Sequence, residues 1–130
     1  FKPLAEAFAE LKPVENVKVI AFTDLEGLVN AAFESSNASG VNPAQSGAHS
    51  GEWETSLMLA LRPDQVKMDQ AVAGFVGPLP EIMEKGFNGI QNLDENGVLG
   101  DPRPATAAAG EKYFEDMVEF FYQWVRKQDD

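Results

Sequence analysis

The chain has 130 residues, 44% of them hydrophobic and 24% charged, the composition of one ordinary globular domain with a modest core. Lys and Arg number 10 against 21 Asp and Glu, and the resulting formal charge of −11 repels phosphate backbones and anionic membranes, which argues against nucleic acid or a membrane surface as partner. With no cysteine there are no disulfides, no thiolate nucleophile and no Cys-ligated zinc, in keeping with a cytoplasmic protein.

Phe1, Leu4, Phe8 and Leu11 keep helical spacing from the first residue, so an amphipathic helix is predicted up to about Lys12, where Pro13 disfavours the α conformation of its predecessor. Val17 to Phe22 is β-branched, aromatic and almost continuously apolar, the pattern of a strand covered on both faces. Leu25 to Phe33 reads as a weaker helical segment, and Ser35 to Gly47 as a loop dense in turn formers that delivers His49, the one histidine of the chain. Trp53, Leu57 and Leu61 then mark a helix capped by Ser50 or Gly51 and stopped by Pro63.

Val72 to Phe87 holds Pro78 and Pro80 and reads as irregular, with one short helix near Glu81 to Lys85. Asn88-Gly89 and Asn96-Gly97 flank a hairpin or a folded lid. From about Thr106 to Lys127, Tyr113, Met117, Phe120, Phe121, Trp124 and Val125 define a long core-facing helix. No apolar run approaches the roughly 18 residues that a spanning helix needs. One confident strand cannot satisfy its own backbone, so the expected fold class is α/β with the sheet completed by a separate chain.

On residue types alone, His49, Glu52 and Glu54 carry little. Glutamates suit the first turn of a helix, and a loop histidine is more often a surface residue than a catalyst. Rival chemistries fare worse. Ala48 and Glu52 occupy the glycine positions of a nucleophilic-serine turn, no phosphate-binding glycine loop is present, and no paired-histidine spacing supports a self-contained metal site. Asp94-Glu95 and Asp129-Asp130 read as solvated surface.

The stretch H-S-G-E-W-E-T-S-L-M-L-A-L-R-P, from His49 to Pro63, resembles the H-A-G-E-x-E-T-S-x-M-L-x-L-x-P signature of the creatininase family of metal-dependent amidohydrolases. G-V-L-G-D-P-R-P-A-T-A-A-A-G-E-K, from Gly97 to Lys112, is similar to the family's approach to its C-terminal helix. The resemblance covers the whole chain, yet only the family's second half, because the E-x-H and H-G-G-N segments of its first half are absent. It implies that residues 1–130 are the C-terminal portion of a three-layer α/β/α domain. A separate N-terminal chain would supply the remaining sheet and the ligands of two divalent metal ions, zinc, manganese or iron.

Carried over by position, His49 would be the proton donor to the leaving nitrogen and Glu54 a carboxylate orienting the site. Glu52 would be substrate-binding or a solvent-facing helix start, Gly51 would stay small to admit backbone, and Asp101 would brace the last helix. Gln45 and Ser46 occupy the substrate-binding positions that are Trp and Asp in creatinine-hydrolysing members, which makes creatinine an unfavourable substrate. The implied function is hydrolysis of a non-peptide or cyclic amide C–N bond in a small substrate, by a homo-oligomer, on the hexamer pattern, of the two-chain unit. The alternatives are a catalytically inactive structural or regulatory subunit, and an acidic module binding a ligand through Phe75 to Leu99.

Overall fold

A computed structural model describes residues 2–12, 15–86 and 89–128. Six α-helices follow in chain order: α1 Lys2–Glu10, α2 Leu25–Ala38, α3 Pro43–Ser46, α4 Glu52–Leu61, α5 Leu79–Gly86 and α6 Ala107–Arg126. Single 3-10 turns at Pro63–Gln65, Met68–Gln70 and Ile90–Asn92 join them. Phe1, Pro13, Asn88 and Asp129-Asp130, which figure in the sequence reading, lie outside the described residues.

The expected α/β architecture is not what forms. Among the described residues there is no strand, and the sole β element is an isolated antiparallel bridge between His49 and Leu99. Val17 to Phe22 runs without helical or ladder structure, with Val17 56% and Val19 50% exposed. Composition expresses how well a side chain fits a pleated surface, whereas a strand exists only where a neighbour accepts its backbone hydrogen bonds. This segment lies instead along the end of α6. Phe22 packs edge-on against Phe120, Phe121 and Trp124 at centroid separations of 6.1, 5.0 and 5.0 Å, and Lys18 Nζ donates to the carbonyl of Gln128.

The α4–α6 pair is the main contact of the fold, with α2 also on α6. Gly110 makes the crossing possible: a Cβ there would stand 1.9 Å from the Ser56 carbonyl oxygen, so only glycine lets the two helices approach so closely. Thr106 caps α6 by accepting from the Ala109 N–H at 3.1 Å. α6 carries two stripes. Gly110, Tyr113 and Met117 are buried, whereas Phe114, Val118, Phe121 and Val125 remain exposed, so the core-facing surface of this helix is narrower than its apolar residues suggest.

α2 runs five residues beyond its predicted end at Phe33 and takes in Ser35 and Ser36, both buried, from the stretch read as loop. Burial against the other helices overrides the weak helix propensity of serine. No hairpin forms around Asn96-Gly97. Asp94 Oδ1 accepts from the N–H groups of Asn96 and Val98 at 3.0 and 3.2 Å, and the tight turn sends Leu99 back to the histidine loop.

Candidate active site at the histidine loop

Main-chain atoms hold the histidine loop. The N–H groups of Ala48 and His49 donate to the Leu99 carbonyl at 2.8 and 3.3 Å, the Leu99 N–H donates back to His49 at 2.8 Å, and the Asp101 N–H donates to the Gln45 carbonyl at 2.9 Å. Leu99 is buried and His49 exposed, so the bridge anchors one side of the loop in the core and presents the imidazole outward. Gly51 serves the same tightness, since a Cβ there would meet the Ser46 carbonyl oxygen at 2.2 Å.

The two glutamates part company. Glu52 is 0% exposed. Its carboxylate accepts from Ser36 of α2 at 2.8 Å, from Ser56 of α4 at 2.7 Å, and from the Tyr113 hydroxyl of α6 at 3.0 and 3.2 Å. Ser56 Oγ accepts in turn from the Thr106 N–H at 3.1 Å. Burial pushes the Tyr113 phenol above its usual range, which keeps the hydroxyl a donor. Glu52 is therefore neither at a solvent-facing helix start nor free to take a substrate: it is the acceptor on which three helices converge.

Glu54 is exposed, and its carboxylate accepts from the Ser50 N–H, reaching back over the start of α4 as a third-position glutamate does. Ser50 itself has φ of 54°, a left-handed conformation. Asp101 braces the turn before α6, accepting from the Arg103 N–H at 3.1 Å and from its guanidinium at 2.8 and 2.9 Å. That guanidinium holds the Asp101 carboxyl below the usual carboxylate range. Gln45 accepts from the Asn42 side-chain amide at 2.7 Å and donates its backbone N–H to Asn42 Oδ1 at 3.1 Å, so its side chain is engaged within the turn.

Of the five residues singled out in the sequence, the structure gathers Ser46 and Glu54 on one cavity of about 170 Å³, with Ala48 beside His49 on its wall. Gln45, His49 and Glu52 do not line it. Sequence reasoning missed Trp53 as a wall residue, together with Val29, Ala32 and Phe33 of α2. The legible signal was the run Val29, Ala32, Phe33, Ser36, which keeps one helical face past the predicted end of the segment.

Among the described residues no group of three or more His, Asp or Glu side chains could hold a metal ion. Glu52 spends its oxygens on hydroxyls, and His49 and Glu54 by themselves are too few. The donors present do not fit a two-metal centre.

The family model for creatinine amidohydrolase, the creatininase model, matches residues 1–125. The chain belongs to the creatininase family. The curated relatives it resembles are mycofactocin precursor peptide peptidases. That of Mycolicibacterium smegmatis is 46% identical over 72 residues, 55% of this chain and 29% of the relative. Those of Mycobacterium tuberculosis and Mycobacterium ulcerans are 43% and 40% identical over 74 and 73 residues, again 55% of this chain and 29% of each relative. The match thus spans less than a third of each relative's length. No solved structure gives a significant match.

These relatives correct the expected chemistry. A creatininase-type amidohydrolase acting on a non-peptide or cyclic amide was anticipated, whereas the relatives are named for a peptide substrate. The physical reason is visible in the fold. Within the creatininase signature, Glu52 and Ser56 are spent on joining helices, so the signature reports a shared scaffold rather than the bond that is cleaved.

Proposed function

We propose that this chain forms one wall of a creatininase-family peptidase, with His49 protonating the amine that leaves as a peptide C–N bond breaks. The observation that carries this reading is the 40–46% identity to precursor peptide peptidases, in a chain whose histidine is held at the surface by backbone bonds in both directions across an isolated bridge. An imidazole serves proton transfer near neutral pH, and the leaving amine needs a proton in that step. Glu54, tied to the Ser50 N–H, fixes the loop between His49 and α4.

The remaining wall and the ligands of two divalent cations, zinc, manganese or iron, belong to an N-terminal portion of the family domain. The exposed stripe of Phe114, Val118, Phe121 and Val125 on α6 is a surface for that portion. Assembly of this unit into a homo-oligomer and a cytoplasmic location complete the proposal; among the described residues no helix is long and apolar enough to cross a membrane.

The test is His49→Ala in the complete enzyme, assayed on a peptide by mass spectrometry. Loss of a general acid costs about 10²–10⁴-fold in kcat, and a loss of less than about fivefold at unchanged stability refutes the assignment. A structural subunit without chemistry is the second reading, favoured by the purely structural engagement of Glu52 and the capping role of Glu54. It predicts full activity in His49→Ala and no metal in the purified assembly.

A further inference from the structure

The geometry points to the cavity between α2 and the first turn of α4 as a subsite for one apolar side chain of a peptide substrate, about the size of a phenyl ring, next to the scissile bond. This inference rests on the peptidase reading for its substrate class, while the cavity itself is independent of it.

Val29, Ala32 and Phe33 of α2, Leu79 of α5 and the Trp53 ring supply apolar walls around about 170 Å³. An apolar cavity of about 150 Å³ is enough to take benzene, so this space suits a phenylalanine or leucine side chain and is too large to be matched by alanine or glycine. A second observation is polar. Ser46 Oγ and Trp53 Nε1 are buried without a hydrogen-bond partner, and both residues line this same cavity. Ser46 is 2% exposed. Buried polar atoms are rarely left unpaired, and an indole N–H can only donate. Both atoms lie behind the cavity surface, so the cavity selects by apolar contact, and the Trp53 indole serves as a reporter of what fills it.

The position favours substrate over a stray ligand. Glu54 and Ala48 form the rim, and both are exposed, so the cavity opens beside the histidine loop. Trp53 is fixed from behind by stacking on Tyr113 at 6.3 Å between centroids and an interplanar angle of 20°, which holds this apolar wall in place before any ligand arrives.

Two measurements on the complete enzyme decide the matter. In the first, the Trp53 indole N–H resonance, assigned with Trp53→Phe, is followed while N-acetyl-phenylalanine amide or N-acetyl-glycine amide is added. A saturable shift with the phenylalanine probe, absent with the glycine probe and abolished in Ala32→Phe, is expected. A resonance that ignores both probes, or follows both alike, overturns the subsite. In the second, kcat/KM is compared for peptides bearing phenylalanine or glycine at either residue flanking the cleaved bond. The phenylalanine-to-glycine ratio is expected to fall about tenfold or more in Ala32→Phe, within the range that apolar pockets discriminate. An unchanged ratio with a raised Tm shows that the space is a packing gap, and overturns the subsite. Ala32→Leu fills less of the cavity and replaces Ala32→Phe should the larger ring prevent folding. If the enzyme cleaves no peptide, the peptidase reading fails, and the resonance experiment still decides whether the cavity accepts an apolar residue.

Discussion

Glu52 and Glu54 stand two residues apart on the first turn of α4 and live in opposite environments. One is enclosed by hydroxyls from Ser36, Ser56 and Tyr113, the other lies at the surface and reaches back to the Ser50 N–H. A helix advances about 100° per residue, so positions two apart face nearly opposite ways, and α6 decides which is covered. The inner carboxylate is fully buried and accepts from three hydroxyls, which ties it to the helix packing. The outer one lines the cavity beside the histidine loop. Burial, rather than residue type, sets these two carboxylates apart along this turn.

The largest effect is expected on the inner side. Glu52→Ala strands three buried hydroxyls, each costing about 1–3 kcal/mol when unpaired, so a loss of about 3 kcal/mol or more is predicted by denaturant unfolding. A loss under about 1 kcal/mol would show that the enclosed carboxylate does not hold the helices together. On the outer side, Glu54→Gln preserves an acceptor for Ser50, whereas Glu54→Ala removes it. Stability should move by about 0.5–1 kcal/mol in the alanine variant, with kcat falling further in that variant than in the glutamine one. Equal kinetics for the two would disprove a loop-fixing role.

Gly110→Ala places a methyl against the Ser56 carbonyl and should destabilise by about 1–3 kcal/mol, the usual range for overpacking; a neutral thermal melt would mean that the helices separate freely. Ser36→Ala removes one donor of the enclosed group and should cost about 1 kcal/mol. Arg103→Ala carries the smallest change. Because the partner guanidinium lowers the folded-state pKa of Asp101, its stabilisation is present above the ordinary carboxylate value near 4 and is lost as pH falls through the lowered folded value. The Arg103 side chain is 61% exposed and solvent-screened, so the gap between the variant and the parent should be small at neutral pH and close in acid. A gap that widens below pH 4 would contradict the pairing.

Local pattern carried the helices. The Trp53-Leu57-Leu61 stripe and the Pro63 stop delimit α4 to within a residue, and the apolar spacing from Tyr113 onward marks α6. Partnership did not show. Val17 to Phe22 has strand composition and no ladder, and the bond between Ser36 and Glu52 spans 16 residues, that between Tyr113 and Glu52 61. Nothing in a one-dimensional pattern says that a glutamate in a first helical turn will meet a tyrosine so far along. The two stretches that carried the family resemblance turn out to touch, Ser56 through its hydroxyl to the Thr106 N–H and through its carbonyl against Gly110. Recognising the family was thus possible from residues whose work is to lock α4 onto α6, while the α2 residues that line the neighbouring cavity lie outside both stretches.

The His49–Leu99 bridge joins loops 50 positions apart through amide and carbonyl groups, which every amino acid except proline supplies alike. Drift at most side chains of that crossing leaves it intact, while the loss or gain of a single peptide unit between Gly97 and Asp101 shifts the phase of the pairing and swings the imidazole away. Such a joint tolerates spelling changes and punishes indels, so natural variation in length should be sparse there and plentiful in the outer turns from Arg62 to Ala71.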